Sequence, residues 1–99
     1  MFEVDGKNFE WDKEKEAINI HKHGVRFKEA ARVFSDEKAV YFDDDEHSQD
    51  EERFIVIGES KRTRVLFVCY CYRESETVIR IITARKATRS EAELYGGGQ

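Results

Sequence analysis

Six arginines and two lysines lie between Lys61 and Arg89, and the planar arginine fork suits a phosphate better than any other side chain. Arg80 is the most informative of them. It sits inside Thr77–Ala84 (TVIRIITA), where strand alternation puts Val78, Arg80, Ile82 and Ala84 on one face and Thr77, Ile79, Ile81 and Thr83 on the other. An arginine flanked by β-branched residues is either an ion-paired side chain at the rim of a core or a cation fixed on a rigid sheet to grip a phosphate. Arg64 opens the preceding strand and Arg85 closes this one, so a hairpin is expected to bring Arg64 towards Arg85, with Arg89 one helical turn beyond. Three guanidinium groups on one patch would form an RNA-backbone site; scattered, they would mean little.

Other chemistry finds less support. Cys69 and Cys71 share a strand face, but no second pair of cysteines exists to complete a zinc site, so both read as buried structural thiols. His21 and His23, two apart on a helix, point to different sides and cannot chelate together. Counted from Asp43 as a calcium loop, the sequence has Ser48 where glycine is required and Phe54 where glutamate is required. The run Asp43–Glu46 therefore reads as a solvated loop, and His47 within it as a surface histidine or a proton-transfer group. No metal site, glycine-rich phosphate loop, Ser-His-Asp order or metalloprotease helix is present.

The elements that must position these residues follow from charge and periodicity. The chain has 99 residues, 39% hydrophobic and 38% charged, with no proline, repeat or low-complexity linker, so a single domain over 1–99 is expected. Its net charge of −4 is unevenly spread: residues 1–35 are balanced, 36–59 carry −8 and 60–99 carry +4. Any contact with a polyanion must then be local. No apolar run approaches the roughly 20 residues of a membrane span, the N-terminus lacks the features of a secretion signal, and two closely spaced cysteines are no disulfide framework. The expectation is a cytoplasmic protein without membrane contact.

Asp5-Gly6 between Phe2–Val4 and Asn8–Glu10 is a short hairpin signal. Asp12 is the N-cap of a helix running to about Lys22, stopped at His23-Gly24. Phe27, Ala30, Ala31 and Phe34 form the apolar stripe of a second helix. After the strand Ala39–Phe42 and the polar loop Asp43–Glu52 come three strong strands, Arg53–Glu59, Arg64–Tyr72 and Thr77–Ala84, with connections short enough for antiparallel hairpins. Thr88 or Ser90 then caps a final helix towards Tyr95, ended by Gly96–Gly98. The fold class is α+β: two N-terminal helices, a mostly antiparallel sheet of about four strands, and a C-terminal helix.

Phe9-Glu10-Trp11-Asp12, Lys15, Asn19, Lys22-His23-Gly24-Val25, Phe27, Glu29 and Ala30 resemble the N-terminal signature of the BrnT toxin family. The likeness continues through His47-Ser48, Glu52-Arg53, Gly58, Arg64, Arg80–Arg85, Ala87, Glu91 and Tyr95, in order from residue 9 to 95. Thr83 stands where the family pattern usually has serine, which keeps the hydroxyl. The resemblance implies a RelE-like ribonuclease toxin of a bacterial type II toxin–antitoxin module. Such a toxin cuts RNA without metal or cofactor and stops translation. A BrnA-type antitoxin neutralises it and contacts operator DNA on behalf of the pair. By the same resemblance Arg64, Arg80 and Arg85 are phosphate and transition-state groups, Glu91 the general-base candidate, and Lys22, His23, His47 and Tyr95 RNA contacts. Trp11 reads as a core anchor and Gly24 as a helix stop. Two rival classes are a toxin-like module that has lost cleavage yet still binds its antitoxin, and an adaptor that docks a basic partner on the acidic 43–52 loop.

Overall fold

Asp12 supplies what the first turn of a helix lacks. In the computed structural model, which describes residues 1–96, its carboxylate accepts the backbone N–H of Glu14 at 2.8 Å and of Lys15 at 3.2 Å. No helical carbonyl can reach those two donors. Helix α1 runs over Lys13–His23 and stops at Gly24, whose left-handed backbone (φ 68°) lets its N–H reach the Ile20 carbonyl at 2.8 Å. Helix α2 (Phe27–Arg32) continues into a 3-10 turn at Val33–Ser35, and the expected stripe of Phe27, Ala30, Ala31 and Phe34 is buried.

Six strands form one sheet: β1 (Phe2–Val4), β2 (Lys7–Glu10), β3 (Val40–Asp43), β4 (Phe54–Glu59), β5 (Val65–Arg73) and β6 (Val78–Lys86). Their spatial order is β1-β2-β6-β5-β4-β3. The antiparallel run β3–β6 is the four-stranded part expected from the sequence. The other two strands extend it, because Asp5 and Gly6 both take positive φ (50° and 81°) and close a tight hairpin. Its inner strand β2 then joins β6 in parallel, Asn8–Glu10 against Val78–Arg80. That pairing joins the two ends of the chain, and local periodicity carries no signal for it.

Helix α2 packs on the sheet through a core that includes Phe9, Val25, Phe27, Val56, Leu66, Val68, Ile79, Ile81 and Ala84, while α1 lies along β6 with the polar Asn19 as its buried residue. Burying each large apolar side chain is worth about 1.5–3 kcal/mol. Trp11 anchors the rim, its ring 5.9 Å from Phe2 and 6.0 Å from Phe27. Where β2 stops, the buried Asn19 of α1 takes over the outer edge of β6. Its amide accepts from Ala84 N–H at 3.0 Å and donates to the Ala84 carbonyl at 2.8 Å and the Val25 carbonyl at 2.9 Å.

Helix α3 (Arg89–Gly96) starts with a reciprocal cap. The Glu91 N–H donates to Thr88 Oγ1 at 3.2 Å, and Glu91 Oε1 accepts the Thr88 N–H at 2.9 Å. Thr88, rather than Ser90, is therefore the cap. Of the expected Gly96–Gly98 stop, Gly97 and Gly98 lie outside the described residues. Near its other end, the Tyr95 hydroxyl donates to Asp36 at 2.7 Å, and Asp36 also accepts the Glu59 N–H at 2.8 Å. Gly58 makes this possible, since a Cβ there would crowd Ala39, the Val33 carbonyl and Asp36 at 3.1–3.4 Å.

Candidate active site

Cys69 lies opposite Thr83 and Tyr70 opposite Ile81, so Ile82 is an extra residue in β6. A bulge of this kind breaks the alternation of side chains, and here it decides which cations share a face. Simple alternation groups Arg80 with Ile82 and Ala84. Instead Ala84 enters the core, while Arg80, Thr83 and Arg85 stand opposite Cys71, Cys69 and Phe67, which alternate along a single face of β5. Arg80 and Arg85 are thus in line on the face away from the core, roughly 13 Å apart at about 3.3 Å per residue. The Arg85 guanidinium lies 4.1 Å from the centre of the Phe67 ring.

Arg64 is elsewhere. It shares the side of β5 on which Leu66 enters the core, and it reaches towards the helices instead of towards Arg85. Its Nε donates to Glu29 at 3.0 Å, Nη2 donates to the same carboxylate, and Nη2 also reaches the Gly24 carbonyl at 3.3 Å. Burial works to raise the pKa of Glu29, but the hydrogen bonds from Arg64 and Ser60 prevail and hold it below the ordinary value. The expected convergence of Arg64 on Arg85 fails because the two side chains leave the sheet on opposite sides.

Donor accounting separates the two strip arginines. Of the five N–H groups of a guanidinium, Arg80 commits one, Nη1 to Glu10 at 2.6 Å. Arg85 commits three: two to Glu91 at 2.8 and 3.0 Å and one to the Lys86 carbonyl at 3.3 Å. Glu91 accepts from Arg85 and from the Thr88 N–H, and the Arg85 hydrogen bonds outweigh partial burial to depress its pKa. It is an anion already engaged by three donors.

The loop expected to be merely solvated folds back on itself. Asp44 N–H donates to the Arg53 carbonyl at 2.9 Å, and Ser48 Oγ accepts the Arg53 N–H at 2.9 Å. Asp44 is buried, with Oδ2 3.8 Å from Cys69 Sγ, which places it over the middle of the arginine strip. Both its carboxylate oxygens lie 3.0–3.1 Å from His47 Nδ1, while the imidazole is 59% exposed. A buried carboxylate on Nδ1 fixes the ring and favours the tautomer whose Nε2 is a free acceptor. Asp44, Glu46 and His47 also place three ligand-type atoms within 4.8 Å of one another, short of the six to eight oxygens that calcium takes. Burial raises the Cys69 and Cys71 thiols, as structural cysteines require.

Lys22 and His23 lie at the end of α1, where with Lys15, Ile18, Ile82 and Thr83 they line a cleft of about 280 Å³ beside the strip. Tyr95 is remote from this group: its hydroxyl is engaged by Asp36, which raises its pKa to about 12. Sequence reasoning missed Asp44 as the partner of His47 and Glu10 as the partner of Arg80. The spacing Asp-x-x-His was a usable signal for the first. Nothing local marks the second.

A family model described as "Ribonuclease toxin, BrnT, of type II toxin-antitoxin system" matches residues 11–91. The chain belongs to the BrnT family. The BrnT match holds Lys22, His23, His47, Arg64, Arg80, Arg85 and Glu91, and Tyr95 falls beyond it. Among solved structures, the chain is similar to the Brucella abortus ribonuclease toxin BrnT. The TM-score is 0.64 at 22% identity, covering 84% of this chain and 99% of that one, a likeness of fold. No curated protein matches. A type II toxin family implies an antitoxin partner, and among the described residues no helix is long and apolar enough to cross a membrane.

Proposed function

We propose that this chain is an endoribonuclease with a RelE-like fold that cleaves RNA without metal and so stops translation. A BrnA-type antitoxin restrains it and contacts operator DNA for the pair. The observation that carries this reading is the bulge at Ile82, which lines up Arg80, Thr83 and Arg85 beneath the Asp44–His47 pair. The reaction needs a base for the ribose 2′-hydroxyl, cations for the charge that grows on the phosphate, and an acid for the departing 5′-oxygen. His47 Nε2 takes the 2′-hydroxyl proton as the 2′-oxygen bonds to phosphorus. The bond from phosphorus to the 5′-oxygen breaks, and that oxygen takes a proton from the imidazolium or from water. The products are a 2′,3′-cyclic phosphate and a 5′-hydroxyl end. Arg80, with four uncommitted N–H groups, grips the phosphate, and Arg85 is steadied by Glu91 to share the charge. Lys22 and His23 receive the strand where it leaves the strip at Thr83. Arg64 and Tyr95 hold the frame.

One observation favours an inert binding module instead: both strip arginines already have carboxylate partners. Induced expression in a bacterial host, with total RNA resolved on a gel, separates the two readings. The nuclease predicts growth arrest and fragmented RNA, both relieved by Arg80→Ala and by His47→Ala and unaffected by EDTA in a purified assay. Soluble wild-type protein that leaves growth and RNA intact would leave the inert module standing.

A further inference from the structure

Helix α1 presents Lys15, Ile18 and Lys22 at i, i+3 and i+7, a single exposed stripe beside β6. Ile18 is 57% exposed, a large aliphatic side chain in open water. The stripe and Ile82–Thr83 of β6 enclose the cleft that His23 closes at one end. Its floor is aliphatic, and its rim carries Lys15, Lys22 and the His23 imidazole. Of the acids on or before α1, Asp12 caps the helix and Glu16 accepts the Phe27 N–H at 2.8 Å, while Glu14 borders the stripe one turn before Ile18. The cleft also meets a gap in the sheet. Strand β2 pairs with β6 only as far as Arg80, and Asn19 covers the edge only at Ala84. Between them, the outer edge of β6 at Ile81–Thr83 has no strand beside it.

We infer that this cleft is the docking groove for an acidic segment of the antitoxin, a reading that rests on the toxin assignment above. An aliphatic anchor of that segment enters between Ile18 and Ile82, and its carboxylates meet Lys15 and Lys22. Two features favour a peptide over a nucleic acid as occupant. Nucleobases are held by stacking on aromatic rings or guanidinium planes, and the cleft between Ile18 and Ile82 has neither, the His23 ring lying at its end. An exposed isoleucine between Lys15 and Lys22 matches an aliphatic anchor flanked by carboxylates, local charge that the protein's net −4 does not cancel. Thr83 belongs to the groove and to the arginine strip alike. A segment seated here therefore stands on the path of the RNA, which neutralises the toxin without touching Arg80.

The test uses the full chain and the purified antitoxin of the same operon, with Ile18→Asp and Lys15→Glu variants. Each variant is expected to weaken antitoxin binding by about tenfold or more, as loss of an interface anchor does. Cleavage of RNA by the free toxin should stay within about twofold of wild type, which also shows that the variants fold. Unchanged antitoxin binding in both variants overturns the groove. So does a loss of cleavage in either variant, which would make Lys15 or Ile18 part of the RNA path with Lys22 and His23 instead of a separate antitoxin contact. A wild-type chain that neither cleaves RNA nor binds the antitoxin fails the toxin assignment itself, and the groove falls with it.

Discussion

Two arginine–glutamate clamps of similar geometry do opposite work in this molecule. Arg64–Glu29 lies on the helix side of the sheet, its carboxylate 9% exposed, and it ties α2 to the start of β5 and to the turn after α1. Arg85–Glu91 lies on the other side, at 34% and 20% exposure, with Phe67 beneath the guanidinium and an open surface above it. The first clamp faces inward and spends its charge on cohesion. The second holds a cation still while leaving it open to a ligand. Residue type and pairing are the same in both; the side of the sheet makes the difference, and one bulge sets that side for Arg85.

The two clamps differ most in what the loss of each arginine does. Arg85→Ala is expected to cut RNA cleavage by about 10²–10³-fold, the usual loss of one transition-state donor, with a stability change below about 1 kcal/mol. Steady-state cleavage assays beside urea melts check both halves. Arg64→Ala should do the reverse, costing about 2–3 kcal/mol of stability by stranding Glu29. Cleavage per folded molecule should stay near wild type below the melting midpoint. If either substitution shows the other's pattern, the division between the clamps is wrong. Thr88→Ala sharpens the outer clamp. It removes one half of the cap that also holds Glu91, and should cost about 1 kcal/mol with a modest fall in cleavage.

Acid probes both clamps. Glu29 and Glu91 have folded pKa values below the ordinary 4.5, so each contributes stability that is present above that value. The contribution is lost as pH falls through the folded pKa. Urea melts from pH 6 down to 3 should therefore show declining stability, and Glu29→Gln should flatten more of that decline than Glu91→Gln because Glu29 is the more buried. An equal effect of the two substitutions would mean that the clamps differ less than their exposures suggest.

Local rules made much of the fold legible in advance. Asp12 and Gly24 bound α1 as their chemistry demands, the stripe from Phe27 to Phe34 marks α2, and three apolar strands with short connections fix the antiparallel part of the sheet. The long-range features were hidden. The β2–β6 pairing joins residues 70 apart through backbone atoms that every sequence has. The bulge at Ile82 inserts one residue into a strand whose composition looks regular, so alternation grouped Arg80 with Ala84, which enters the core, and hid the face that Arg80 shares with Thr83 and Arg85. The site was thus half legible: its residue types were visible, but their grouping depended on a single backbone irregularity. The Asp44–His47 pair was obscured because a run of acids looks like a solvated surface until one of its members is buried.

Strand β6 carries both strip arginines, and its neighbours come from distant parts of the chain: β2 from the first ten residues, Asn19 from α1, and β5 immediately before it. A chain emerging from the ribosome N-terminus first holds β1, β2 and α1 unpartnered until residues 78–86 have been made. The strip and the groove beside it then form together, once β6 is available. On the function proposed above, the cutting strip and the surface offered to an antitoxin therefore arise in one folding step, and neither exists without the other.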